Sequence, residues 1–340
     1  MTRYYSGWDI GGAHLKVSRC NAAGEIIHSR EWVCPLWRGI QELDKLVNQV
    51  LSELNNENDF HFLTLTGESA DCFRDRQHGV NEILSCIGKQ IAAEKCRVFS
   101  ASDRWLSLSA AQQNWHQVAS MNWLATASWL GQHIESGLLV DIGSTTTDII
   151  AIKHHRPALA GLTDQARLRS GELVYTGVIR TPLIALAQQV PFAGYQQHVA
   201  NELFATTGDI WRICHALPAT IQDISADGQS WQLAHCRQRL ARMVGTDAGQ
   251  FTAEQWLTLA NWYAEQQLQQ LIVSANQVVQ QHSLGDEDPI IAVGIGHFLA
   301  KRLAKALHRP IQSLNKNLSQ QAAIGAPASA LALLGWRQFT

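Results

Sequence analysis

A chain of 340 residues with 46% hydrophobic side chains and a formal net charge of −2 has material for two cores of ordinary size. It carries no basic surplus for nucleic acid or an anionic membrane surface. Its seven cysteines are odd in number, scattered and without a C-x-x-C pair, which argues against a disulfide or zinc framework and for reduced thiols in the cytoplasm. No secretory h-region opens the chain, and no apolar run reaches the ~20 residues of a membrane span. The expected partner is a small molecule.

The first stretch, Gly7-Trp8-Asp9-Ile10-Gly11-Gly12-Ala13-His14-Leu15-Lys16-Val17, reads as a strand, a glycine turn and a returning strand. Leu15 to Cys20 and Glu25 to Val33 continue it as a meander. Lys16 lies seven residues after Asp9, where its ammonium can point back at a phosphate held by the turn; a solvated strand lysine is the plainer alternative. Apolar positions spaced as on a helix follow from Gly39 to Leu54. Phe60 to Thr66 is a strand running into Glu68 and Asp71. Ligands of open α/β sheets gather at such strand ends, although two acidic residues also suit a helix N-terminus. Val80 to Ala93 predicts a helix, Cys96 to Ser100 a strand, and Trp115 to Gln132 one tryptophan-rich helix that places Asn122 and Trp123 near an expected cleft wall.

The second stretch of interest is Leu138-Leu139-Val140-Asp141-Ile142-Gly143-Ser144-Thr145-Thr146-Thr147-Asp148-Ile149-Ile150. It predicts two strands joined by a small, hydroxyl-rich turn. Gly143 lets the backbone approach a ligand, and the hydroxyls and N–H groups of residues 144 to 147 form a rim suited to phosphate oxygens. Asp141 and Asp148 flank that rim, and carboxylates beside a phosphate work through a divalent cation, since bare ones repel it.

Beyond it, Ile149 to Lys153 and Pro157 to Leu162 are expected to pair across His154 and His155. The segment from Arg167 to Pro182 combines Arg167, Arg169 and Arg180 with glycine punctuation and suits anion recognition. Residues 192 to 250 look like an irregular insertion that shapes a specificity pocket, and Glu254 to Gln281 predicts a long helix. Pro289 to Gly296 is a buried strand ending in Gly294-Ile295-Gly296, a turn able to cradle phosphate ahead of a helix from His297 to Leu307. Asn317 to Gln320 carries helix-start chemistry, and Ala322 to Gly335 is a small-residue helix able to pack closely.

The ordered set D-I-G-G at 9–12, D-I-G-S-T-T-T-D at 141–148 and V-G-I-G at 293–296 resembles the actin, sugar-kinase and Hsp70 superfamily. That resemblance implies an α/β fold of two related RNase H-like (actin-like ATPase) domains around a central cleft. The first would span 1–135 together with 322–340, the second 136–321 with the insertion at about 190–250. A closer resemblance rests on G-W-D-I-G-G-A-H-L-K, T-G-E-S-A-D-C-F, N-W-L-A-T-A, D-I-G-S-T-T-T-D, G-E-L-V-Y-T-G-V-I-R-T-P-L and A-R-M-V-G-T-D. These are similar to the short hydantoinase/oxoprolinase-like proteins of tetrahydromethanopterin-linked C1 metabolism.

The family resemblance implies a transferase of methanofuran-type cofactor biosynthesis, which joins a furanylmethyl diphosphate to the phenol of glutamyl-tyramine and expels pyrophosphate. Under it, Asp9, Asp141 and Asp148 hold Mg²⁺, while Gly11, Gly12, Gly143, Ser144, Thr145, Thr146 and Thr147 bind the diphosphate with Lys16 as a point charge. Gly294 and Gly296 add a third phosphate turn, Arg169, Arg180 and Asn122 contact substrate, and Glu68 takes the phenol proton. The alternatives are an ATP-dependent kinase or hydantoinase/oxoprolinase-like amide hydrolase, and a non-catalytic ATP-binding switch. The oligomeric state is left open, with a homodimer as the assembly considered.

Overall fold

The computed structural model describes residues 3–102, 105–218, 221, 223–313, 322 and 325–340. These fall into two compact units, one drawn from Met1–Gly137, Ala151–Asp164 and Ser313–Thr340, the other from Leu138–Ile150 and Gln165–Gln312. The helix start expected at Asn317 to Gln320 lies outside the described residues.

In the first unit β1 (Tyr5–Gly11), β2 (His14–Cys20) and β3 (Ile26–Val33) form an antiparallel meander. The chain crosses through α1 (Ile40–Leu54) to β4 (Phe60–Thr66), which pairs parallel to β1 with Gly7 opposite Phe62 and Asp9 opposite Thr64. A parallel return needs such a crossover. α2 (Arg76–Gln90) leads to β5 (Cys96–Phe99), and β6 (Trp105–Leu106) completes the order β3-β2-β1-β4-β5-β6. α2 starts four residues before the expected Val80, because the Asp75 side chain accepts from His78 N–H at 2.8 Å and caps it there. α3 (Leu108–Gln113) and α4 (Asn122–Gly131) follow.

Alternation along the strands divides the packing. Trp8, Ile10, Leu63 and Leu65 share one cluster with Leu43 and Val47 of α1 and Ile83 and Ile87 of α2. On the opposite face Gly7 and Phe62 meet the last helix, Ala326–Phe339. A Cβ on Gly7 would lie 2.0 Å from Ala328 O, and one on Gly335 would lie 2.3 Å from the Phe62 ring. The small residues read from the sequence therefore serve a close helix-on-sheet contact, with Ser18 and Ser329 hydroxyls 2.9 Å apart inside it.

The second sheet begins with β7 (Ser136–Ile142) and β8 (Thr147–Lys153), followed by the short β9 (Arg156–Ala158). β9 stops well before the expected Leu162. His154 and His155 between them both have positive φ, of 52° and 62°, as a tight two-residue hairpin requires. Residues 151–164, expected in the second domain, group with the first unit. There His155 N–H donates to Glu135 O at 3.1 Å, and Gly131 lets α4 press on the His155 backbone.

α5 (Asp164–Ser170) and β10 (Leu173–Val174) come next, then a hairpin of β11 (Gln189–Phe192) and β12 (Tyr195–His198). The region expected to be irregular is this hairpin plus α6 (Thr207–Ile213) and α7 (Leu233–Met243). α8 (Ala253–His282), β13 (Ile290–Val293), α9 (His297–Ala306) and β14 (Ile311–Ser313) complete the unit. Its strand order β10-β8-β7-β13-β14 repeats the β3-β2-β1-β4-β5 of the first sheet place for place. This is the duplicated α/β architecture expected from the paired D-I-G turns. All seven cysteines are free, and no helix among the described residues is long and apolar enough to cross a membrane.

Candidate functional site

In the first unit the turn between β1 and β2 is held from outside. Gly12 O accepts from Leu36 N–H (3.1 Å), Ala13 O from Cys34 N–H (2.8 Å), and Gly67 N–H donates to Ile10 O (3.0 Å). A Cβ on Gly67 would meet Gly11 C at 2.9 Å, whereas one on Gly12 would meet only Gly67 Cα, at 3.9 Å. Gly12 thus keeps an open side, as a backbone position approached by a ligand must. Asp9 is buried, accepts from Thr66 Oγ1 at 3.4 Å, and lies 3.9 Å from Lys16 Nζ, its cross-strand partner. On the returning arm the Lys16 ammonium therefore stands beside the Asp9 carboxylate.

Glu68, just past β4, has no exposed surface. The helix expected from Trp115 to Gln132 is broken. Trp115–Gln117 is a single 3-10 turn, Ala119 bridges Leu65, and Ser120 takes φ 55° before α4 starts at Asn122. This break sets Ser120 Oγ 2.6 Å from Glu68 Oε1, while Oε2 has no partner among the described residues. Burial pushes the Glu68 carboxyl above the usual range, against the opposing pull of the Ser120 hydrogen bond and the Arg76 charge. A general base must reach the proton it takes. With its carboxyl sealed and its proton held more firmly than in a free glutamate, Glu68 does not have the exposed geometry that the expected base role calls for. Nor do Glu68 and Asp71 decorate a helix N-terminus, since α2 begins at Arg76. Asn122 is the first residue of α4 and half-buried.

In the second unit the turn after β7 is polarised. Its carbonyls point at a strap formed by residues 177–180. Gly143 O accepts from Val178 N–H (3.0 Å), and Ser144 O accepts from both Ile179 N–H (3.1 Å) and Arg180 N–H (2.9 Å). Gly143 N–H closes the turn on Thr146 O at 2.9 Å. The N–H groups of Ser144, Thr145 and Thr146 donate to no acceptor among the described residues. A turn with its carbonyls engaged and its amides unengaged is an anion-receiving nest. Ser144, Thr145 and Thr146 are partly exposed, but Thr147 is buried and its hydroxyl donates to Thr176 O at 2.6 Å. Thr147 is therefore a structural tie and not part of the rim. Arg180 is exposed, with its backbone fixed to the turn.

Asp148 Oδ1 accepts from Arg167 Nη2 at 2.7 Å, and the Arg167 side chain is only 1% exposed. A buried guanidinium thus supplies a counter-charge to Asp148, a role that the sequence, which placed Asp148 among the metal ligands, did not suggest. Arg169, chosen from the sequence, is exposed, and its carbonyl accepts from Gln277 Nε2. The buried arginine of α5 is its neighbour two positions back, on the same side as Ser170.

Asp141, next to last in β7, lies opposite Val293, and Gly294, at φ 79°, passes so close that a Cβ would lie 2.5 Å from Asp141 Oδ1. Gly296 N–H donates to Ile142 O at 2.9 Å, and a Cβ there would overlap Ile142. On the side where a side chain would stand, Gly294 and Gly296 are packed against Asp141 and Ile142. These glycines fit the turn around the end of β7.

A family model described as hydantoinase/oxoprolinase matches residues 59–336. The chain belongs to the hydantoinase/oxoprolinase family. A relative from Methanocaldococcus jannaschii is 30% identical over 98% of this chain and 97% of its own length. Its name is (4-{4-[2-(gamma-L-glutamylamino)ethyl]phenoxymethyl}furan-2-yl)methanamine synthase. A second protein of that name, from Methanococcus vannielii, is 29% identical and covers 61% of this chain and 95% of its own. Among solved structures, nucleotide-free acetone carboxylase aligns with a TM-score of 0.51 at 11% identity, over 87% of this chain and 46% of that one. A likeness at that identity speaks of the fold alone.

One residue that braces the candidate site of this hydantoinase/oxoprolinase chain was not singled out from the sequence. Gln267 interrupts the buried stripe of α8, between Tyr263 and Leu271. Its Nε2 donates to Thr176 Oγ1 (2.9 Å) and Gly177 O (2.8 Å), and its Oε1 accepts from Trp211 Nε1 (2.8 Å). Thr207 Oγ1 (2.8 Å) and Thr181 Oγ1 (3.2 Å) also donate to Gly177 O. This buried network holds the strap against the turn from behind. A polar residue inside an otherwise apolar helical stripe is the signal that would have found it. For a metal, no three acidic, histidine or cysteine side chains gather as a ligand set among the described residues. Within its own unit each D-I-G turn carries one hard oxygen donor, Asp9 in the first and Asp141 in the second, and Mg²⁺ can be held by as little as one carboxylate plus phosphate oxygens and water.

Proposed function

We propose that this protein is a cytoplasmic Mg²⁺-dependent transferase that joins a furanylmethyl diphosphate to the phenol of a γ-glutamyl-tyramine. The phenol oxygen forms a bond to the furanyl methylene carbon, the carbon–oxygen bond to the diphosphate breaks, and pyrophosphate and the phenol proton leave. The observation that carries this reading is the 30% identity over nearly the whole length of both chains to a synthase. That relative's name describes a phenoxymethyl-furan bearing a glutamylamino-ethyl arm.

The polarised turn supports it. With the carbonyls of Gly143 and Ser144 turned to the strap, the amides of residues 144–146 and the Ser144, Thr145 and Thr146 hydroxyls receive a diphosphate, and charge developing on it meets preorganised donors. A Cβ on Gly143 would meet Thr146 O at an ordinary 3.5 Å, and its φ is not positive. Neither strain nor crowding calls for glycine there, which suits a position kept bare for a ligand. In the first unit, Gly11, Gly12 and Lys16 form the corresponding anion-facing turn. Arg180, fixed to the turn by its own N–H, pairs with the diphosphate or the glutamyl carboxylate. Asp141, beside the turn, would hold Mg²⁺, which when bound neutralises charge on the leaving group; Asp9 has the equivalent place in the first unit's own turn.

The test is to combine the purified protein with the furanylmethyl diphosphate, γ-glutamyl-tyramine and Mg²⁺ in the absence of nucleotide. Stoichiometric ether and pyrophosphate are expected by mass spectrometry. Absence of product without ATP, together with ATP turnover in its presence, would replace the reading with a kinase or hydrolase.

A further inference from the structure

We infer that Arg167 is a positioning residue that neutralises Asp148, so that the turn of residues 143–146 can admit a phosphoryl group. The inference rests on the reading above that this turn receives phosphate. Asp148 is the second residue after the turn, in β8, and is paired with Leu173 of β10. A carboxylate so close to the expected anion would repel it across a partly dry medium. Arg167 Nη2 lies 2.7 Å from Asp148 Oδ1 and also donates to Glu172 O at 3.1 Å.

The placing of that guanidinium is built into the fold. α5 ends at Gly171, whose φ of 77° turns the chain back so that β10 runs beside β8. Glu172 O then accepts from Ile149 N–H at 2.8 Å as well as from Arg167. The Glu172 carboxylate, fully buried, is held by Ser170 Oγ at 3.0 Å and lies 3.3 Å from His282 Nε2. The arginine is thus clamped against the second residue after the turn. Almost none of its surface is left for a ligand, so its effect on an anion passes through Asp148.

The test titrates inorganic pyrophosphate with Mg²⁺ into the wild type, Arg167→Gln, Arg167→Lys, Asp148→Asn and the Arg167→Gln/Asp148→Asn double variant. Calorimetry gives the affinity, and near-UV circular dichroism checks the fold. Arg167→Gln should weaken binding on the order of tenfold or more. Arg167→Lys and the double variant should stay within about threefold of wild type, because each restores neutrality at Asp148. A purely structural arginine would not be rescued by removing the aspartate charge, so a double variant as weak as Arg167→Gln overturns the inference. Unchanged affinity in Arg167→Gln overturns it too. If Arg167→Gln does not fold, the lysine and double variants decide the matter alone. A wild type that binds no pyrophosphate removes the phosphate reading itself, and this inference with it.

Discussion

Replacing Gly177 by alanine tests whether the strap sets the character of the turn. The new methyl would lie 2.4 Å from Ser144 C and 2.5 Å from both Ser144 O and Thr145 N. Carbon contacts settle near 3.5–4.0 Å, so strap and turn must separate by about 1 Å, and all three neighbours are backbone atoms that cannot rotate away. Overpacking of this kind costs ~1–3 kcal/mol. Separation also weakens the bonds from the N–H groups of Val178, Ile179 and Arg180, each contributing ~1 kcal/mol net. The sum is about 3–5 kcal/mol, a large share of the ~5–15 kcal/mol that holds a domain together. Gly177→Ala should therefore lower the urea midpoint clearly, with an unchanged m-value. Once the turn carbonyls are released, pyrophosphate affinity should fall by about tenfold or more. A stability loss below ~1 kcal/mol with unaltered affinity would refute the account of the polarised turn.

Three further outcomes follow from the same geometry. Gln267→Leu leaves the Trp211 indole N–H and Thr176 hydroxyl without their buried partner, which should cost ~2–4 kcal/mol and weaken pyrophosphate binding without any contact to it. Glu68 holds its proton more readily folded than unfolded, where its pKa is ~4.3. Between that value and its higher folded one the native state binds more protons, so its contribution to stability falls as pH rises. Melting curves should therefore show Glu68→Gln gaining on the wild type with increasing pH, and parallel curves would contradict the proton-holding role. Gly7→Ala drives a methyl into Ala328 O and should destabilise by ~3 kcal/mol or more, seen as a lowered thermal midpoint.

What the sequence disclosed was local. Both D-I-G turns stand where glycine, hydroxyl and aspartate crowd a few positions between apolar runs, and the long helix from Ala253 carries its own capping box at Thr252 and Gln255. The choice between Arg167 and Arg169 was not legible, since a helix of seven residues is too short for its buried side to show as a period. The Ser120 kink was equally hidden: Trp115 to Gln132 satisfies a helical pattern, and only the pairing of Ala119 with Leu65 overrides it. Thr147 could be assigned to the rim by composition, while its burial against Thr176 depends on a strap far along the chain. Gln267 was readable in principle as a polar residue in an apolar seam.

The contact of the last helix with β1 governs the order in which the protein can be made. Synthesis proceeds from the N-terminus at ~5–20 residues per second, so β1 and β4 leave the ribosome long before Ala328 and Gly335 exist to cover Gly7 and Phe62. Until then one side of the first sheet is bare, and an uncovered apolar sheet surface invites aggregation. The second unit, drawn from Leu138–Ile150 and Gln165–Gln312, is synthesised in full before that helix. In the cell, the unit that begins first is the one that finishes last, and chaperone dependence should be sharpest during that interval.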